Sequence, residues 1–176
     1  MRRHGWVRSL GLVLAVASLP ALGLGAQALR TARIPGTRVT LSYPPGFSVV
    51  EYGTALHVPN APAWIRVSEI RIPIQERIAA TRRGLAKAKD ALEMRDVRIG
   101  PYEGLYLRTK VRAGAGRVWS VIFGNERESV RIVATGPEKL APLMGPQYEK
   151  MLLDARWQPG RPLNPYEALP FVLPRN

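Results

Sequence analysis

Histidine is the side chain that most often transfers protons or binds metal ions near neutral pH, and the chain has two, His4 and His57. His4 lies in an N-terminal segment with the pattern of an export signal, so His57 alone remains for chemistry in the mature protein. A histidine-based metal site takes two or three such ligands, and a general base needs an orienting partner. We therefore interpret His57 as a surface or edge-strand histidine, not as a metal ligand or a catalytic base.

Other motifs of catalysis and cofactor binding are missing from the sequence. The chain has no cysteine, which excludes thiol catalysis, disulfides and cysteine-ligated zinc or iron–sulfur sites. No G-x-S-x-G motif exposes a serine nucleophile. The glycine-rich stretch at residues 113–116 is followed by a strand pattern and lacks the lysine of a phosphate-binding loop, so it predicts a hairpin turn. The sequence therefore predicts no catalytic residue, no metal ligand and no cofactor.

One group of residues predicts a binding surface. In the strand predicted over residues 103–112, aromatic and basic side chains occupy alternate positions and so share one face. Neighbouring strands could add similar side chains to that face, although the sequence does not fix the register. The predicted anion- or partner-binding face consists of Arg66, Tyr106, Arg108, Lys110, Arg112, Trp119 and Arg131. The alternative is a solvated or helix-covered face on which long cationic side chains lie over aromatic rings.

The first 28 residues have the three parts of a secretory signal peptide. A basic start with three arginines is followed by an uncharged run over residues 9–29 and by the A-x-A pattern Ala26-Gln27-Ala28. Cleavage is predicted after Ala28, which places the protein in the periplasm or the extracellular medium. The alternative is an uncleaved N-terminal membrane anchor, because an uncharged run of this length just spans a bilayer of about 30 Å.

Removal of 28 residues from the 176 leaves 148, enough for one domain with its own core. We expect a single domain over residues 29–157 and a proline-rich tail over residues 158–176. The chain has 26 basic and 13 acidic residues, and its net charge of +13 falls to +10 once the three leader arginines are removed. Because an exported protein meets little nucleic acid, we expect no nucleic-acid partner. Anionic lipids, acidic glycans and acidic protein surfaces remain as partners for a basic protein.

The hydropathy pattern changes twice along the predicted domain. Period-two alternation predicts strands over residues 37–43, 47–52, 54–58 and 64–72. Spacing by three or four then predicts one long amphipathic helix that starts at Pro73, with the apolar stripe Ile74, Ile78, Thr81, Leu85, Ala88 and Leu92.

The second half of the domain repeats the change from strands to a helix. Strands are predicted over residues 96–99, 103–112, 117–123 and 128–135, and the last three, joined by short turns, form an antiparallel meander. A C-terminal helix ends near Asp154, and Gly145-Pro146 predicts that it is kinked or divided in two. The tail that follows is expected either to dock on its own domain or to bind another protein.

Three short motifs and their order resemble those of a known family. They are Val39-Thr40-Leu41-Ser42-Tyr43-Pro44-Pro45-Gly46-Phe47, then Gly104-Leu105-Tyr106, then Met151-Leu152-Leu153-Asp154-Ala155-Arg156-Trp157. Residues 37–157 resemble the PsbP-like and DcrB-like family of exported proteins. The resemblance implies an α+β fold, a three-layer α/β/α sandwich with a central, mainly antiparallel sheet. It also implies a non-enzymatic accessory role in the cell envelope or a thylakoid-like lumen, and it carries no catalytic set.

These observations together predict an exported, non-enzymatic accessory or assembly protein of the cell envelope that acts through protein–protein contacts. The alternative function is a carrier or sensor of an anionic lipid or small ligand bound between the sheet and the helices. The sequence identifies neither the partner nor the oligomeric state. The proline-rich tail and the lack of a lipobox cysteine depart from the family pattern.

Overall fold

A computed structural model of the chain describes residues 29–49, 54–86, 88, 90–111 and 116–161. The signal peptide predicted over residues 1–28, Arg112 and the tail beyond residue 161 lie outside the described residues. The fold is α+β, with a mainly antiparallel sheet and two α-helices. In chain order the elements are β1 Arg30–Arg33, β2 Val39–Tyr43, β3 Ser48–Val49, β4 Ala55–His57, β5 Trp64–Ile70, α1 Ile74–Leu85, β6 Ala91–Ile99, β7 Tyr102–Lys110, β8 Gly116–Gly124, β9 Ser129–Pro137, α2 Ala141–Leu153 and β10 Arg156–Trp157.

Seven of the strands form one antiparallel sheet in the order β3-β4-β5-β9-β8-β7-β6. Strands β7 to β9 form the predicted antiparallel meander, and β6 pairs with β7 in a further hairpin. Strand β5 precedes them in sequence but pairs with β9, and Trp64 lies opposite Thr135. This crossover brings residues near 66 and residues near 131 together, although about 65 positions separate them along the chain.

Helix α1 packs on one side of this sheet, which we call the α1 side. Its buried residues Ile74 and Ile78 contact Leu105, Leu107 and Ile122, which all project from that side of β7 and β8. Burial of such a side chain is worth about 1.5–3 kcal/mol, which accounts for the docking of a short helix on two strands. Strands β5 and β9 lie beside the area that α1 covers.

The larger core lies on the opposite side, the α2 side. Trp119, Val121 and Phe123 alternate along β8 toward α2, where they meet buried residues such as Tyr148 and Met151. The second sheet, β1-β2-β10, closes the same core.

The helix predicted to start at Pro73 is shorter than the sequence pattern predicts, because its C-terminal part is a strand. Helix α1 ends at Leu85, and Leu92, assigned by the periodicity to the buried stripe, lies in β6 with 39% of its surface exposed. Residues of β6 pair with β7 from Ala91 opposite Thr109 to Ile99 opposite Tyr102. The backbone hydrogen bonds of this hairpin outweigh a weak helical pattern made of alanine and threonine.

The small sheet was not predicted. Strand β2 was predicted, but its partners β1 and β10 have only four and two residues, too few for a period-two pattern. A helix also lies where the second helical pattern predicts one, and it ends at Leu153. It is a single helix that contains Pro146, preceded by a short 3₁₀ helix over Glu138–Leu140.

Candidate functional site

The sheet register divides the predicted anion- or partner-binding face between two sides of the sheet. Arg108 lies opposite Trp119 on the α2 side, together with Tyr106, and Lys110 is exposed at the end of the same strand. Arg66 and Arg131 lie on the α1 side. Arg112 is outside the described residues, so the structure does not place it.

The assignment of Arg66 and Arg131 to the α1 side follows from their pairing. Arg131 is opposite Ile122, which packs against α1. Arg66 is opposite Val133, Val133 is opposite Ser120, and Ser120 is opposite Leu107. Leu107 packs against α1, so Arg66 also projects from the α1 side. The grouping of all seven residues on one face is therefore corrected, because directly paired residues project from the same side of a sheet.

The two aromatic residues of the predicted face belong to the core. Tyr106 and Trp119 expose 0% and 1% of their surface. The Trp119 ring packs edge-on against Tyr148, with 5.2 Å between the ring centroids. Burial, reinforced by the nearby carboxylate of Glu149, raises the pKa of Tyr106 well above its usual range. Neither ring offers a surface to a partner.

Three arginines on the α2 side are neutralised by carboxylates. Arg95 lies over the Tyr106 ring at 4.7 Å and contacts Glu149 at 2.6 Å. Arg108 contacts Glu93 at 3.2 Å, and Arg117 is ion-paired with Glu138. This side matches the alternative set out from the sequence, in which cationic side chains lie over aromatic rings.

A different set of cations on the α1 side has no such partners. Arg66, Arg77 and Arg131 make no ion pair with any carboxylate among the described residues. We call these three residues the α1-side arginine cluster. Arg77 comes from helix α1, and its Nη1 donates hydrogen bonds to the carbonyl oxygen and the Oγ of Ser129, both at 3.2 Å.

Burial disfavours the charged form of two arginines of the cluster, and no carboxylate offsets this effect. Burial, together with the neighbouring charge of Arg131, lowers the pKa of Arg77 to about 10. Partial burial also lowers the pKa of Arg131, although much of its side chain is exposed. Lowered values mean that the fold disfavours these two cations, so a bound anion would stabilise them.

Arg66 extends the cationic surface away from α1. Its guanidinium lies over the Trp64 ring at 5.3 Å, and Trp64 is opposite His57 on the next strand. His57 is half-buried in β4, and its carbonyl oxygen accepts a hydrogen bond from Ser48 Oγ at 3.3 Å. Sequence reasoning found Arg66 and Arg131 but missed Arg77, because no sequence pattern shows where a helical arginine reaches the sheet.

Two further properties of the described residues bear on function. Within them, no group of three His, Asp or Glu side chains is arranged to hold a metal ion. Neither helix in this part of the chain is long and apolar enough to cross a membrane.

Comparison with known proteins gives structural matches at low sequence identity. The solution structure of cyanobacterial PsbP (CyanoP) from Synechocystis sp. PCC 6803 matches with a TM-score of 0.55 and 10% identity, over 77% of this chain and 96% of that chain. A crystal structure from Bacteroides thetaiotaomicron VPI-5482 matches with a TM-score of 0.50 and 16% identity, over 76% of this chain and 50% of that chain. No protein-family model and no curated protein matches the sequence. These matches show a PsbP-like fold and confirm that part of the resemblance.

Proposed function

We propose that this protein, whose fold is PsbP-like, is an exported, non-enzymatic accessory or assembly protein of the cell envelope that binds an acidic surface of a protein partner. Helix α1 on one side of the sheet and α2 on the other support the three-layer α/β/α arrangement that the resemblance implies. The signal-peptide pattern of residues 1–28 supports export, with cleavage after Ala28.

The observation that carries this proposal is the unpaired α1-side arginine cluster. Arg95, Arg108 and Arg117 on the α2 side are neutralised by carboxylates, whereas Arg66, Arg77 and Arg131, on β5, α1 and β9, have no carboxylate partner among the described residues. Exposed arginine beside a half-buried tryptophan is a residue pair enriched at protein interfaces. Charge complementarity therefore favours a partner with an acidic surface.

The alternative, a carrier of an anionic lipid or small ligand, also has a structural observation in its favour. A groove of about 800 Å³ lies between α1 and strands β6 and β7. Apolar Ile78 and Ala79 line it together with two cations, Arg82 and Arg98, and two carboxylates, Asp96 and Glu103. Arg82 is paired with Asp96, whereas Arg98 has no ion pair among the described residues and would meet the anionic group of a ligand with an apolar body.

Charge reversal of the cluster tests the main proposal. The variant Arg66→Glu/Arg131→Glu is expected to reduce recovery of the native envelope partner by about tenfold or more, equivalent to about 1.4 kcal/mol, because two attractive charges become repulsive. The measurement is quantitative co-purification of the tagged full chain from its native envelope. Binding by the unaltered chain should weaken as salt is raised, since exposed charges are screened.

The matched control is Lys110→Glu/Arg156→Glu, which reverses two exposed charges outside the cluster and should retain the partner. Equal recovery by both double variants would exclude the α1 side as the contact surface. Native mass spectrometry separates the two functions. A stoichiometric protein supports the accessory role, whereas a bound lipid or metabolite without a protein supports the carrier.

A further inference from the structure

Two arginines and a hydroxyl group meet at one place on the α1 side. Ser129 and Arg131 are two residues apart on β9, so their side chains project from the same side about 7 Å apart. Arg77 is held over Ser129 by its two hydrogen bonds. Ser68 lies directly opposite Arg131 in the neighbouring strand, and its Oγ lies 3.5 Å from the carbonyl oxygen of Arg131. Arg77, Arg131 and the two serine hydroxyls therefore form one small polar area on this side of the sheet.

This pair differs from the ion-paired arginines of the fold. Among the described residues, five other arginines form ion pairs with carboxylates at 3.2 Å or less: Arg38, Arg82, Arg95, Arg108 and Arg117. For Arg77, the neighbouring charge that acts most strongly on its pKa is another cation, Arg131. A fold that brings two partly dehydrated cations together without a carboxylate leaves a local charge of +2.

The hydrogen-bonding capacity of the pair is also incompletely used. Arg77 directs Nη1 to Ser129, while Nε and Nη2 have no described partner, and Arg131 makes no described side-chain hydrogen bond. Guanidinium groups present paired N–H donors whose geometry matches two oxygens of one phosphate or carboxylate. A phosphate group carries up to two negative charges and more acceptor oxygens than a carboxylate, so it matches both the charge and the donors of this area.

We infer that Arg77 and Arg131, with the hydroxyl of Ser68, form a binding site for a single phosphate group. The site lies within the proposed interface but does not require the protein partner. Its phosphate could come from free inorganic phosphate or from a phospholipid headgroup, since both present the same oxygens to the two guanidiniums.

Titration of the purified mature chain with inorganic phosphate tests the site. Calorimetry or NMR at constant ionic strength should show saturable binding, and Arg131→Gln should weaken it by roughly tenfold, as expected for loss of a charge-assisted pair of hydrogen bonds. The matched control is Lys110→Gln, which removes an exposed cation at the end of β7, outside the α1-side arginine cluster. Because Lys110 lies on another strand and on the α2 side, this control should stay within about twofold of the unaltered chain.

Retained folding of each variant is checked by circular dichroism, and Arg77→Gln provides a second variant in which the amide can still donate to Ser129. Absence of saturable phosphate binding by the unaltered chain, or equal binding by Arg131→Gln, would overturn the site.

A second titration uses vesicles of phosphatidylcholine with and without phosphatidic acid. Binding that needs phosphatidic acid and Arg131 assigns the phosphate to a lipid headgroup, whereas binding of inorganic phosphate alone assigns it to the free ion. The partner experiment is scored separately, so either proposal can fail while the other stands.

Discussion

Replacement of Arg38 by methionine is expected to lower the free energy of unfolding by about 3–5 kcal/mol, the usual cost of removing one member of a buried ion-pair network. Arg38 exposes 9% of its side chain and contacts Glu69 at 2.7 Å and Glu128 at 2.5 Å. Methionine keeps most of the side-chain volume but leaves both carboxylates without a cation. The measurement is urea denaturation of the mature chain.

The network is costly to break because it joins four parts of the fold. Arg38 precedes β2, Glu69 lies in β5, and Glu128 lies in the turn before β9. Trp157 of β10 donates its Nε1–H to Glu69 at 3.1 Å, and the Arg38 guanidinium lies over the same indole at 5.6 Å. Arg38 therefore connects the small sheet to the large one, and its replacement weakens contacts on both sheets.

The pH dependence identifies the cause of the loss. Burial alone would lower the pKa of Arg38, but the hydrogen bonds that its guanidinium donates to Glu128 and Glu69 outweigh burial and raise it. The cation therefore persists at neutral and acid pH, and its contribution declines only when the guanidinium loses its proton at strongly alkaline pH. The stability difference between the variant and the unaltered chain should therefore be as large at pH 9 as at pH 7, because the guanidinium keeps its charge across this range.

Two controls separate burial from ion pairing in general. Arg82→Met breaks an exposed pair with Asp96, whose side chains are 47% and 73% exposed, and should cost less than about 1 kcal/mol. Adding Glu69→Gln and Glu128→Gln to Arg38→Met should recover part of the loss. A cost for Arg38→Met no larger than that for Arg82→Met would show that the network does not hold the sheets together.

Much of the fold could be predicted from the sequence because its main strands are long enough to show alternation. Strands β5, β7, β8 and β9 have seven to nine residues, and each coincides with a predicted strand to within a few positions. The network around Arg38 could not be predicted in this way. Its carboxylates lie 31 and 90 positions from Arg38, so only the tertiary fold brings them together.

The candidate site was partly predictable for the same reason. Alternation correctly places Tyr106 and Arg108 on one side of β7, because that statement depends only on the geometry of a single strand. The placement of Arg66 and Arg131 depends on the register between β5, β9 and β8. The alternation of residue types along one strand contains no information on the register between strands. The contribution of Arg77 depends further on how α1 lies across the sheet.

Trp119 provides the second large expected effect, and it distinguishes the core from a binding surface. Trp119→Ala should lower the free energy of unfolding by about 3–5 kcal/mol, because a fully buried indole is replaced by a cavity. The ring is 1% exposed, and it packs against Tyr148 and close to Gly145 of α2. The loss is a large part of the 5–15 kcal/mol typical of a domain, so thermal unfolding should shift clearly downward.

Trp64→Ala is the matched comparison, since Trp64 is half-buried on the α1 side and lies under Arg66. Because part of the Trp64 ring already lies in solvent and its cation–π contact is worth only about 0.5–1 kcal/mol, Trp64→Ala should lower the free energy of unfolding clearly less than Trp119→Ala does. If Trp119 were part of an exposed binding face, its replacement would leave stability unchanged and reduce partner recovery instead. The opposite pattern, with stability lost at Trp119 and partner recovery lost at Trp64, follows if α2 covers one side of the sheet and the partner contacts the other.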